Sequence, residues 1–155
     1  MPNADRRLRR ADAEHLSDDD LFWDLMAPAW DDASHGTVGQ RLLAVTTYLV
    51  RDVANGGFHQ ALWNREADVW DEAVAALGTL GATEHANAAR DASRLLLGDH
   101  PPRVLDERRE RLDRIGRSWV AQHVGPLDER MHDETRLWPH YRAYIAAHPD
   151  EFFRD

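Results

Sequence analysis

Glycine and proline residues divide this chain into segments whose apolar side chains recur every three or four residues. Such spacing places apolar side chains on one face of an α-helix, and no segment keeps the strict alternation of a half-buried strand. The sequence therefore predicts an all-α fold, a single compact domain of about seven helices joined by short loops. The breaks fall at Pro28, Gly56-Gly57, Gly81, Gly98, Pro101-Pro102 and Gly125-Pro126.

The N-terminal part predicts one charged segment and one helix. Residues 1–16 are charged and show no apolar periodicity, so we expect a flexible N-terminal segment there and the helical domain over 17–155. Ser17 is a typical N-cap, and three aspartates follow in the first turn, where the helix dipole favours carboxylates. We expect Pro28 to end or kink this helix and 28–36 to form a loop. The apolar face of the helix that starts after Ser17 consists of Leu21, Phe22, Leu25 and Met26.

The segment 38–54 is compatible with two kinds of structure. Its β-branched residues and the following Asn55-Gly56 would suit a hairpin strand. Seventeen residues without strict alternation favour a helix instead. Gly56 is then expected at the C′ position, where a left-handed residue closes a helix, and a short helix follows over 58–64.

The second half of the chain predicts four more helices. The apolar face of the helix over Glu66–Leu80 includes Val69, and Thr83 is expected to cap the helix over 83–97. The third is expected to be one long helix, which Gly125-Pro126 ends, with a polar connector after it. These helices span Glu66–Leu80, 83–97, 103–124 (with Leu105, Leu112, Ile115 and Trp119 along its seam) and a C-terminal segment with Pro139 in its first turn.

Six tryptophans are a high count for a chain of 155 residues. Trp23 and Trp30 fall within an acidic segment, and a tryptophan in such a setting is suited to anchor a protein interface. The other four lie on or near apolar faces, where large side chains fill a helical core. They are Trp63, Trp70, Trp119 and Trp138.

Composition excludes several functional classes. The chain has no cysteine, which excludes disulfides, thiolate zinc sites and cysteine nucleophiles. No apolar run approaches the length that spans a bilayer, and the N-terminus lacks the apolar stretch of a secretory signal, so we expect a cytoplasmic protein. The net charge of -9 argues against direct binding of nucleic acid.

The negative charge is concentrated in two segments. Residues 17–35 contain six Asp and no Arg, and residues 66–91 contain six acids and one Arg. The segment 92–124 is slightly basic, with seven Arg against five acids. The acidity is therefore a property of particular helices and not of the whole chain.

Few residues suggest catalysis. His132-Asp133 is similar to the paired ligands of metal-dependent phosphohydrolases, but no further His and Asp stand out as partners for a metal site. The chain also lacks an HExxH pair, a phosphate-binding glycine loop and a GxSxG elbow. His59, Gln60 and Asn64 follow the double glycine and either clamp a ligand or hydrogen-bond the backbone groups freed at the helix break. The second interpretation is favoured, because such groups need partners. We expect no catalytic residue, no metal and no cofactor.

Several segments resemble one family of small helical bacterial proteins. They are NGGFHQALWN at 55–64, AALGTLGA at 75–82, the alanine-rich helix through Leu95-Leu96-Leu97, and a terminal part with Leu127-Asp128, Tyr144 and HPDEF at 148–152. Together they cover residues from about 38 to the end, and they resemble the domain-of-unknown-function family that includes the neisserial DNA-mimic protein. The most specific element is the scaffold motif Asn55, Gly56, Gly57, Phe58, Gln60 and Asn64.

The resemblance implies an all-α fold without known catalytic activity. In one branch of the family, an acidic dimer surface mimics DNA and occupies the DNA-binding face of a transcription factor. We therefore expect a non-enzymatic acidic protein-binding module, with DNA mimicry toward a basic DNA-binding protein such as a transcription factor as its specific form. A homodimer is the assembly that the resemblance implies.

Mimicry of DNA needs carboxylates at regular spacing on a rigid face. Helical acids at i, i+3 and i+4 lie about 5–6 Å apart, comparable with phosphates along a strand. The candidate acidic interface comprises Asp18, Asp19, Asp20, Asp24, Asp31, Asp32, Glu66, Asp68, Asp71 and Glu72.

Two other functions are compatible with the sequence. One alternative is a shape-specific interaction or immunity-type protein anchored by exposed aromatic residues. A less favoured alternative is a metal-dependent hydrolase.

Overall fold

Nine α-helices form most of residues 5–155, which are the residues that the structure, a computed structural model, describes. The all-α class is confirmed. Three 3-10 helices span Ala33–His35, Glu134–Leu137 and Pro149–Glu151. The α-helices are α1 (Arg10–Ala13), α2 (Asp18–Trp30), α3 (Val38–Asn64), α4 (Ala67–Thr79), α5 (Thr83–Leu97), α6 (Leu105–Asp113), α7 (Arg117–His123), α8 (Gly125–Met131) and α9 (Trp138–Ala147).

The long helix α3 is the centre of the fold. It packs against α2, α4, α5, α6, α8 and α9. A capping box fixes its start, because the Thr37 hydroxyl accepts a hydrogen bond from the Gln40 N–H (3.2 Å) and the Gln40 amide oxygen accepts one from the Thr37 N–H (3.0 Å). Twelve of its residues are buried, so its helical state is stabilised mainly by the elements around it.

Both residues of the double glycine leave the helical conformation, so α3 consists of two helical parts that meet at a kink, and the predicted break between two helices is confirmed. Gly56 has φ −159° and is not left-handed, whereas Gly57 has φ 73°. The prediction that Gly56 is the left-handed residue is therefore wrong by one position. A β-carbon at Gly57 would also lie 2.5 Å from the Asp128 carboxylate, so glycine is required there for two reasons.

An aspartate from a distant helix satisfies the backbone at this bend. Asp128, on α8, accepts a hydrogen bond from the Phe58 N–H at 2.8 Å, as an N-cap would. The two amides that were expected to do this, Gln60 and Asn64, make no side-chain hydrogen bond within residues 5–155, and that prediction is wrong. Burial raises the pKa of Asp128, and the Phe58 hydrogen bond and nearby His59 partly oppose this rise.

The predicted long helix over 103–124 is two helices, α6 and α7, separated near Gly116. Gly125-Pro126 does not open a connector either, since Pro126 lies in the first turn of α8. Proline is well suited to a first turn because its missing N–H has no helical partner there. Trp119 is 38% exposed on α7 and does not lie in the core.

Two helix boundaries in the first half also differ from expectation. Pro28 lies inside α2, which continues to Trp30, and a 3-10 helix occupies part of the expected loop. Ala82, not Thr83, is the N-cap of α5. On α4, the regular spacing of Trp70, Ala73, Val74 and Leu77 defines the buried face, which leaves Val69 40% exposed.

The two ends of the described chain meet in a short parallel pair of strands, which the sequence did not predict. Strand β1 (Leu8–Arg9) pairs with β2 (Phe153–Arg154), and Leu8 packs against the core. Beside them, Phe152 is fully buried, and a β-carbon at Gly39 would lie 2.5 Å from its ring. The C-terminal segment is thereby seated on the start of α3.

A buried hydroxyl cluster ties α9 to α3. The Tyr141 hydroxyl lies 2.8 Å from the hydroxyls of both Thr46 and Thr47. Burial raises the pKa of Tyr141 to about 12, so this phenol stays neutral and can share hydrogen bonds with both threonines.

None of the helices within residues 5–155 combines the length and the apolar character that a membrane-spanning helix needs.

Candidate protein-interaction surface

Three exposed aspartates share one face of α2. Asp20, Asp24 and Asp31 are spaced by four and seven residues, which returns each to nearly the same side of the helix, and the backbone at Asp31 is still helical. None of them forms an ion pair with any other residue of 5–155. We call these three residues the acidic face of α2.

The other acids of the first segment surround this face under different constraints. Asp18 pairs with Arg142 of α9, which neutralises it. Asp19 is exposed, whereas Asp32 accepts hydrogen bonds from the Ser34 hydroxyl and N–H. Those hydrogen bonds are the main cause that lowers the pKa of Asp32, and it stays charged at neutral pH.

The acids of α4 are mostly neutralised by arginine. Arg103 lies between Asp68 and Asp71 and donates a hydrogen bond to each. Glu72 pairs with Arg41 of α3, and this hydrogen bond lowers the pKa of Glu72 against the effect of burial. Glu66 alone among the four acids of this group forms no ion pair within residues 5–155.

A strip of α3 lies between the acidic parts of α2 and α4. Tyr48 stacks on Trp30 from α2, with ring centroids 3.9 Å apart, and also lines a small groove with Val69 and Ala73 of α4. Arg65 lies over the Tyr48 ring at 4.5 Å. The ten acidic candidates are therefore divided by an aromatic and basic strip and do not form one uniform patch.

The two tryptophans of the acidic segment belong to an aromatic cluster at the surface. Trp23 and Trp30 pack edge to face with their centroids 5.0 Å apart, and Trp23 is 40% exposed. The Arg51 guanidinium lies 5.4 Å from the Trp23 ring and 5.5 Å from the Trp30 ring, and it donates a hydrogen bond to Glu134 at 2.9 Å. These contacts fix the aromatic rings beside the acidic face.

The scaffold motif lies by a different surface. Gly56, His59 and Gln60 line an open cleft of about 760 Å³ together with Trp63 and parts of α6 and α7. His59 is held by a 3.0 Å hydrogen bond between Nε2 and the Leu112 carbonyl oxygen. Phe58 is fully buried, which gives this part of the motif a packing role.

In the His132-Asp133 pair, the aspartate has a structural function. The Asp133 carboxylate accepts hydrogen bonds from the N–H (3.0 Å) and the hydroxyl (2.7 Å) of Thr135, which caps the 3-10 helix Glu134–Leu137. Across residues 5–155, no group of three or more His, Asp or Glu side chains is arranged to hold a metal ion.

The fold and this surface define a small, acidic, all-helical protein whose exposed carboxylates lie beside an aromatic cluster. The chain belongs to the family of DMP19-like proteins, whose sequence model matches residues 34–148. The family resemblance seen in the sequence is thereby confirmed. No curated protein and no solved structure is significantly similar to the chain. The match begins after α2, so the acidic face of α2 lies outside it.

Proposed function

We propose that this protein is a non-enzymatic, cytoplasmic protein-binding module that mimics DNA toward a basic DNA-binding protein, for example a transcription factor. The observation that carries the proposal is the acidic face of α2, where Asp20, Asp24 and Asp31 are exposed and without ion pairs within residues 5–155. Membership in the DMP19-like family supports it. A homodimer would present this face twice.

Charge attraction determines the kind of partner. Unpaired carboxylates on a rigid helix attract a surface rich in Arg and Lys, and they repel the phosphates of DNA itself. The Trp23–Trp30 cluster adds an apolar contact next to the charges. The expected complex is therefore steered by charge and excludes DNA from the partner's binding face.

The test compares two triple variants with the same change in net charge. The first replaces Asp20, Asp24 and Asp31 by Asn. The matched control replaces Glu107, Glu110 and Glu129 by Gln, since these are exposed acids outside α2 that also form no ion pair within residues 5–155. The purified chain serves as bait in an extract of the source cells, and each retained DNA-binding protein is purified and assayed for duplex DNA binding in the presence of each variant.

We expect the unmodified chain and the control to displace DNA from the partner, and the α2 variant to lose this effect by about tenfold or more at 0.1 M salt. Binding should weaken steeply as salt is added, because exposed charges are screened over about 10 Å at that ionic strength. Equal competition by both variants, or binding that is insensitive to salt, would contradict the proposal.

A second candidate function rests on the aromatic cluster. An interaction or immunity-type protein that recognises its partner by shape would depend on Trp23 as an anchor. In that case Trp23→Ala abolishes partner binding, whereas the triple Asn variant of α2 retains it. In one binding assay, the two candidate functions therefore predict opposite results for Trp23→Ala and for the triple Asn variant of α2.

A further inference from the structure

A small cavity of about 310 Å³ lies at the N-terminal end of α5. Four separate elements bring basic or protonatable side chains to it. His85 comes from α5, Arg130 from α8, Arg136 from the 3-10 helix Glu134–Leu137, and His140 from α9. Among residues 5–155, Glu84 is the one acidic residue in the lining. In a chain of net charge -9, this is a local reversal of sign.

The first turn of α5, whose residues Thr83 and Glu84 line this cavity, has backbone N–H groups without a hydrogen-bond partner in residues 5–155. Gly81 ends α4 in a Schellman arrangement, in which the Ala82 N–H donates to the Leu77 carbonyl at 2.9 Å and the Gly81 N–H donates to the Gly78 carbonyl at 3.0 Å. Ala82 is then also the N-cap of α5, and alanine has no side-chain oxygen to accept from the first turn. The helix dipole and these free N–H groups favour an anion at this position.

His85 gives the second and independent observation. It lines the cavity and is only 7% exposed, and its buried Nε2 has no hydrogen-bond partner in the described part of the chain. A buried polar atom without a partner is costly, and such atoms are rare in folded proteins. Burial lowers the pKa of His85, and the nearby His140 and Arg136 lower it further, whereas Glu84 raises it. An anion in the cavity would oppose that positive potential.

The surrounding charges favour an anion over a metal cation. Arg130 forms no ion pair with a carboxylate of residues 5–155, and the nearest carboxylate oxygen to Arg136 is that of Asp133, at 4.0 Å. Both guanidinium groups would repel a metal ion. They would instead donate charge-assisted, forked hydrogen bonds to a tetrahedral oxyanion.

We propose that this cavity binds a phosphate group, either as inorganic phosphate or as the phosphate of a small monoester. Arg130 and Arg136 bind its oxygens, His85 and His140 donate from the side, and the start of α5 supplies backbone N–H groups. This site is independent of the proposed function on α2, since it needs no protein partner.

The test follows the imidazole signals of His85 and His140 by NMR in the purified full chain at constant ionic strength. The probes are inorganic phosphate and AMP, with adenosine and sodium chloride as controls. We expect a saturable shift of both imidazole signals and a rise in the pKa of His85 on binding. If the shift saturates at a lower concentration of AMP than of inorganic phosphate, the ligand is a monoester. If it saturates at a lower concentration of inorganic phosphate, the ligand is inorganic phosphate. The absence of a saturable shift with both, or an equal effect of adenosine, would overturn the proposal.

Exposed arginines allow a control for general charge effects. Arg136→Gln and Arg130→Gln are expected to weaken binding of the better probe by about tenfold or more, the loss typical of one charge-assisted hydrogen bond. Arg94→Gln, at the other end of α5, makes the same change in net charge and should leave the affinity within about twofold. If Arg94→Gln weakens binding as much as the cavity variants, diffuse attraction explains the result and the site is refuted. Circular dichroism of each variant verifies that the helices are intact.

Discussion

At the scale of single residues, Gly57 determines the path of the longest helix. Its φ of 73° is unfavourable for any residue with a β-carbon, and such an atom would also meet the Asp128 carboxylate at 2.5 Å. We expect Gly57→Ala to lower the free energy of unfolding by about 2–3 kcal/mol, mainly through backbone strain. Urea denaturation followed by circular dichroism measures this change.

Gly78 is the matched control for that substitution. It lies within α4, and a β-carbon there would have no atom within 4 Å. Gly78→Ala should therefore raise the free energy of unfolding by about 0.5–1 kcal/mol, because alanine loses less backbone entropy in a helix. If both substitutions changed stability by the same amount, the bend at Gly57 would not require glycine.

At the scale of elements, the sequence was sufficient for several helix boundaries that local residues determine, although not for those predicted from Pro28 and Thr83. The Ser17 cap, the stops at Gly81 and Gly98 and the start of α9 near Pro139 agree with the structure. The boundaries of α6, α7 and α8 were not predicted, because Gly116 and Gly125-Pro126 can start a helix as readily as end one. In such places tertiary packing decides, and one sequence does not display it.

The candidate sites show the same division. The exposed acids of α2 could be found from the pattern of a single helix. The neutralisation of Asp68 and Asp71 could not, because Arg103 is 35 and 32 residues away along the chain. The basic cavity at α5 could not be found either, since four elements contribute to it and no local motif marks them.

Asp128 joins two elements, α8 and the second part of α3, and should make their association depend on pH. Because burial raises its pKa above 3.8 in the folded state, the folded state holds the proton more tightly than the unfolded state does. The contribution of Asp128 to stability is therefore greatest below pH 3.8 and is lost as the pH rises through the folded-state pKa.

Asp128→Asn retains an oxygen acceptor for the Phe58 N–H and removes the titration. We expect the difference in unfolding free energy, unmodified chain minus Asp128→Asn, to fall as the pH is raised from 3 toward 7. Urea denaturation at several pH values measures this difference, and Asp106→Asn, an exposed change of the same type, controls for net charge. A difference that rises over this range would show that the carboxylate is stabilised, not destabilised, by its site.

At the scale of the whole molecule, the arginines and acids divide into two groups with different consequences. One group is paired across elements, as Arg41 is with Glu72 and Arg51 with Glu134. The other is the acidic face of α2, whose carboxylates form no ion pair within residues 5–155. Carboxylates that bind a partner and form no internal ion pair should contribute little to the stability of the fold. In the absence of the partner, these carboxylates repel one another.

The triple Asn variant of Asp20, Asp24 and Asp31 tests this division through stability. Asp20 and Asp24 repel each other at i, i+4, and Asp31 lies at the C-terminal end of α2, where the helix dipole disfavours an anion. Asp20 also lies in the first turn, where its charge is favourable, so we expect a net gain of about 0.5 kcal/mol in the free energy of unfolding. Urea is the suitable denaturant because guanidinium chloride would screen the charges. A gain in stability together with a loss of partner binding would separate the charges used for function from those used for folding, whereas a loss of more than about 1 kcal/mol would show that these carboxylates stabilise the fold.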